Sequence, residues 1–279
     1  MEVWHHIALN VLTDPELLAA IEKLQLDHRR TPAPGPGSVL VSLDVSESDP
    51  RWRSLQPHIG GALDIAHTLF TTEEILAAEW VRLIPAFQRG YPQPESTWVE
   101  NPTNFRQLCP KCGMEIQEAP FRIKGEPNMR KHDFMSLIWT WSLFATRSVI
   151  GAFQEAGFTG FEPWDVFVNA KGKKSEVIQQ VHVSSAAEPA YLEERTNAVR
   201  CEQCGTIKHK PHRVGPMLFR ADAFAGVSAD FLLTGDWFGD GKAAFREILI
   251  SHRVAEHILT HELKGVVLQA TKLERTLLS

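Results

Sequence analysis

Apolar and polar positions alternate loosely over "EVWHHIALNVL" (2–12), where branched and aromatic residues dominate, and this predicts a strand. Its period of two sends His5 and His6 to opposite faces, one inward and one outward. "DPELLAAIEKLQL" then changes to helical spacing, with Asp14 as N-cap, Pro15 at the first helical position and Glu16 in the first turn. The run "TPAPGPG" (31–37) can continue neither helix nor sheet and reads as an exposed loop, and "SVLVSLDV" after it reads as a buried strand. Two further helices are expected, over "GGALDIAHTLF" and over "TTEEILAAEWVRLIPAF". The second opens on Thr71 and Glu74 at the spacing of a capping box.

A second breaker cluster, "GYPQPES" (90–96), marks a domain boundary, giving an acidic α/β region over 1–98 and a second domain over 99–279. In the second domain "PFRIKG" is a short strand, and the apolar run beyond it predicts a long helix from Asp133 to Ala156, stopped by Gly157. "WDVFV" and "VIQQVHV" are strands separated by the turn "NAKGKK". The end of the chain is the most explicit part. "FREILI" predicts a strand, Ser251 an N-cap, "HRVAEHILTHEL" an amphipathic helix, Gly265 its stop and "VVLQATKL" a last strand. Strands and helices mix without a sustained βαβ rhythm, so the expected fold class is α+β.

The stretch 134–153, "FMSLIWTWSLFATRSVIGAF", is 20 residues long and could in length span a bilayer. Arg147 lies well inside it, at a cost of about 2.5–3.5 kcal/mol on the most lenient insertion scale, so a core helix is preferred and no membrane partner is expected. The N-terminus lacks the cationic start of a secretory signal, which makes a cytoplasmic location the default expectation. Apolar residues form 43% of the chain and charged residues 23%, enough for a sizeable core without disulfide staples. Residues 1–100 carry 7 Lys and Arg against 14 Asp and Glu, whereas the remainder carries 22 against 20. An acidic N-terminal third speaks against general nucleic-acid binding; it suits docking to a basic protein, against the commoner role of a solvated acidic surface.

All four cysteines fall in two matching pairs, "CPKCG" (109–113) and "CEQCG" (201–205), with the 88 residues 113–200 between the inner cysteines. In a reducing compartment paired thiols mean metal or redox chemistry. Cys109, Cys112, Cys201 and Cys204 would form a tetrahedral all-sulfur site, preferred by zinc and less often by iron. Each pair would be a tight knuckle whose turn amides donate to the sulfurs, and Gly113 and Gly205 would permit the turn. The matching glycines favour zinc over the alternatives of two redox pairs or four free thiols. The separation exceeds that of an ordinary zinc ribbon, but loop-closure entropy grows only with the logarithm of length, so an inserted element is tolerated. Four thiolates close the coordination shell, which makes such a zinc structural.

Other chemistry is sparse. "HILTHE" places His257 and His261 one turn apart on a helix face, but Glu262 lies outside the pair, so neither zincin spacing is met. "KHKPHR" (208–213) is locally basic and could be a nucleic-acid contact or a solvated hairpin tip. "GDWFGDGK" (235–242) lacks the spacing of a phosphate loop, and no catalytic motif is found.

The paired CxxCG motifs at Cys109, Cys112, Gly113 and Cys201, Cys204, Gly205, with the tail "DWF…FREILISHRVAEHILTHELKGVVL", resemble the double-CXXCG motif family of bacterial, myxobacterial-type proteins. The resemblance covers roughly residues 105–273. It implies an immunity protein that binds and neutralises a cognate protein toxin and is not an enzyme. Trp52, Trp80, Trp98, Trp237 and Phe238 are candidate contact anchors by residue type, against the commoner role of such rings in a core. The alternative reading is a zinc-ribbon nucleic-acid-binding or regulatory module using "KHKPHR", which the net charge of −5 disfavours. A third is a hydrolase assembled around His257 and His261.

Overall fold

The computed structural model describes residues 1–99, 102–169, 172–192 and 198–275. It mixes helices with many strands, as the pattern of the chain requires. The chain divides into two compact units, Met1–Thr71 with Arg213–Gly215, and Thr72–His212 with Pro216–Ser279.

The first unit is a four-stranded antiparallel sheet in the order Arg29–Pro32, Val39–Ser46, Glu2–Asn10, Leu63–Leu69. Period-two burial places Ile7 and Leu9 beside Val41, Leu43 and Val45 on one face. Leu17 and Ile21 of the helix Pro15–Lys23, with Trp52 and Leu55, close that core. His5 is buried and His6 half-exposed, as the alternation predicts. The helix expected over "GGALDIAHTLF" is instead the edge strand Leu63–Leu69. Its residues 63, 65, 67 and 69 are exposed while 64, 66 and 68 face inward, a period of two that outweighs helix propensity once a sheet edge is available.

In the second unit one five-stranded sheet runs Met217–Arg220, Val266–Glu274, Trp80–Pro85, Ile248–Ser251, Phe231–Leu233. The helix expected over 71–87 is therefore cut short: Thr72–Ala77 is helical, and Trp80–Pro85 is the central strand, antiparallel to both neighbours. Trp80, Val81, Arg82 and Leu83 are buried in succession, which suits a strand covered on both faces. Arg82 is tolerated there because it pairs with Glu247 at 2.5 Å and donates to Gln269 at 2.9 Å. A strand drawn from the first hundred residues thus lies at the centre of this sheet, and the division falls after Thr71 rather than at the expected 98/99. The closing strand, helix and strand are found as expected, at Ile248–Ser251, His252–Thr260 and Val266–Glu274.

A second five-stranded sheet has the order Arg122–Ile123, Glu162–Val168, Lys173–His182, Phe144–Thr146, Phe134–Met135. The long helix expected over 133–156 is not formed. Residues 134–146 are two short strands joined by a turn, and only Arg147–Glu155 is helical. Phe134, Met135, Ser136 and Leu137 are each at most 1% exposed, so residues 134–137 are buried on every side. A continuous apolar run of that kind is ambiguous between core strand and core helix. Gly157 does end the helix, at φ +69°. Among the described residues no helix is long and apolar enough to cross a membrane.

Candidate metal centre

Each CxxCG motif forms the tip of a small antiparallel hairpin. The first joins Phe105–Cys109 to Met114–Gln117, and the second joins Ala198–Arg200 to Ile207–His209. The two turns are near copies. Gly113 N–H donates to Cys109 O at 3.0 Å and Gly205 N–H to Cys201 O at 2.9 Å, with the glycines at φ +76° and +75°. This left-handed conformation costs other residues roughly 1–2 kcal/mol, which is the local reason for glycine after each pair.

The hairpin tips bring all four sulfurs together within 4.8 Å of one another, with no disulfide among them. Cys109 and Cys201 are 3.8 Å apart at Sγ, and Cys112 and Cys204 are 3.7 Å apart. A tetrahedron with metal–sulfur bonds near 2.3 Å has edges of about 3.8 Å, so both pairs are already at the spacing of a four-thiolate ion site. The residues fit a metal ion, and four sulfur donors would leave it no free position. Met114, with half-buried Trp237 and Ala244, packs apolar surface against the cluster.

The surroundings favour the thiolate at the second pair. The Cys204 thiol is held down to about 6, chiefly by hydrogen bonds from the Thr206 side chain and backbone. Cys201 is lowered by the backbone amides of Cys204 and Gln203. Burial has the opposite effect on Cys112 and pushes its thiol up to about 12, although the Met114 amide works against that. A dipositive ion would supply the charge that burial makes expensive.

Sequence reasoning missed the support of this site. Lys208, read as part of a basic flank or solvated tip, is 8% exposed and points inward. Its ammonium donates to the carbonyls of Cys112 (2.9 Å), Gly241 (2.7 Å) and Ala243 (3.0 Å). One buried cation thereby fastens the first knuckle, the second hairpin and the 241–243 turn together. The same turn presses Lys242 O against Gly113, where an added Cβ would lie 1.7 Å from it. The partners of Lys208 lie far from it in sequence, so no local pattern announces the contact. On the outer surface Lys111 and Glu202 pair across the two knuckles.

The remaining candidates are not brought into this site. His257 and His261 stack at 4.1 Å, and His261 Nδ1 shares a hydrogen bond of 2.9 Å with the His257 carbonyl. His257 also meets Phe153 and Phe158 edge-on. Among the described residues the four cysteines are the only group of three or more His, Cys, Asp or Glu placed to hold an ion. Trp52, Trp80, Trp98 and Phe238 are core residues, and half-buried Trp237 carries Arg246 over its ring at 4.6 Å. The exposed tryptophans are Trp139 and Trp141, both inside the run expected as a core helix.

Neither a scan against protein-family models nor a search of curated proteins returns a match.

Proposed function

We propose that the chain is a zinc-stabilised binding protein of the immunity type, which captures a cognate basic protein toxin and performs no chemistry of its own. The observation that carries this reading is the open face of the first unit's sheet. There Leu63, Ile65 and Leu69 are 58%, 44% and 48% exposed on one edge strand, and Leu40 on Val39–Ser46 is 43% exposed. Asp44 and Glu2 lie on the same face by register. Residues 1–71 hold nine Asp and Glu against five Lys and Arg. An apolar centre with an acidic surround suits a cationic protein partner, whose field would speed encounter while the aliphatic side chains supply burial.

The metal is assigned as zinc because four thiolates at tetrahedral spacing match its preference and leave no open position for reaction. Lys208 and His209 are buried, so "KHKPHR" presents fewer free cations than the nucleic-acid alternative requires.

The test is co-expression with a basic toxin encoded beside the gene. Wild type should restore growth, and Leu63→Glu/Ile65→Glu should abolish the rescue without moving the melting temperature. Rescue that survives the double variant overturns the docking face, and salt-sensitive DNA or RNA binding by the purified protein would favour the alternative. Elemental analysis should give one zinc per chain, reduced below half in Cys109→Ser.

A further inference from the structure

A cleft in the second unit has a chemistry that neither the metal centre nor partner docking uses. Its volume is about 660 Å³, within the usual range for small-molecule sites. It is lined by Gln93 and Pro94, Thr103 and Asn104, Ala119 and Pro120, and the Arg122–Lys124 segment with Asn169. Among the described residues two cations line it and no carboxylate does, in a chain whose net charge is −5.

Arg122 opens the short strand Arg122–Ile123, and Lys124 follows it in a bend. Ile123 is 3% exposed and belongs to the core with Phe121 and Val168, whereas Arg122 and Lys124 on either side of it are exposed. Two residues apart, they can be separated by at most about 7 Å along the chain. Among the described residues neither forms an ion pair.

Asn104 is the second, independent observation. Its main chain is fixed, since its carbonyl accepts the amides of Glu118 (3.0 Å) and Ala119 (3.3 Å). The residue is 5% exposed, yet neither the amide oxygen nor the amide nitrogen of its side chain has a hydrogen-bond partner. An orphaned buried amide is costly, and one that lines a cleft is explained by a ligand that completes it. Among the described residues no aromatic side chain lines the cleft, so they offer a nucleobase no platform on which to stack.

We propose that this cleft binds a small molecule carrying two oxyanionic groups, a bisphosphate or a dicarboxylate. Arg122 and Lys124 each take one group, and the Asn104 amide pairs with a polar group between them. The experiment is titration calorimetry on the metal-loaded full-length protein at low salt, with fructose 1,6-bisphosphate in one arm, succinate in the other and chloride at matched ionic strength as the control. Saturable binding of either probe is expected, and the tighter arm distinguishes the phosphate from the carboxylate source. Arg122→Ala/Lys124→Ala should weaken it at least tenfold with unchanged melting temperature. Asn104→Leu should weaken it similarly while raising the melting temperature of the ligand-free protein, because an orphaned polar group is removed. No binding above the chloride control, or equal binding by wild type and the Arg122/Lys124 variant, would overturn the proposal. Undiminished binding in Asn104→Leu would overturn the part given to Asn104.

Discussion

Gly113 and Gly205 share a backbone conformation but not a neighbourhood, and the difference separates what a knuckle needs from what this protein has built on it. Both have φ near +75°. A Cβ at Gly205 would meet nothing within 4 Å, whereas at Gly113 it would meet the Lys242 carbonyl. Gly205→Ala should therefore cost only the left-handed backbone penalty, about 1–2 kcal/mol. Gly113→Ala carries that penalty plus an overpacking cost of about 1–3 kcal/mol, because backbone must move. Urea denaturation of the two variants measures the difference, and equal losses would mean that the 241–243 turn yields freely. The cysteines and both glycines were legible in the sequence because a knuckle is a local object. Lys208 was not, since its meaning depends on carbonyls at 112, 241 and 243 that only the folded chain brings to it.

Elements were legible where a period was unambiguous and a cap or stop stood at each end. The segment from 248 to 274 met both conditions, and the structure follows it closely. Over 134–146 neither held: the run is mostly apolar with no clear period, and its only clear stop is Gly157, which ends a helix beginning at Arg147. The helix His252–Thr260 also carries a pH dependence. His257 is lowered, first by burial among Phe153 and Phe158 and then by the neighbouring His261. The folded protein therefore binds fewer protons than the unfolded chain between the folded value and the ordinary 6.5. Stability rises with pH in that window and falls as acid is added. His257→Gln should flatten this slope below pH 6.5 while changing stability little at pH 8. Denaturation midpoints at pH 5.5 and 8 would show it, and an unaltered slope would assign the dependence to other groups.

At the scale of the whole molecule, two hairpins far apart in the chain meet at one four-sulfur centre, and the intervening residues supply a complete five-stranded sheet. A metal there closes a loop of nearly ninety residues. Closing a long loop costs little more than closing a short one, because the entropy grows logarithmically. The ion's binding energy can therefore fix both hairpin tips at once, and structural zinc in small fingers supplies about 10–16 kcal/mol. The first unit has its own sheet and core, built from residues 2 to 69 with no contribution from the cysteines. Removing the ion with a chelator should then act unevenly. Amide exchange should accelerate more than tenfold over 105–117 and 198–209, where the hairpins lose their common anchor, while protection of Glu2–Asn10 and Val39–Ser46 stays within twofold. Acidification should reproduce the pattern, since protonated thiols release the ion. Uniform acceleration across the chain would show instead that the clamp governs folding of both units together, and no change would remove the metal from the account of stability.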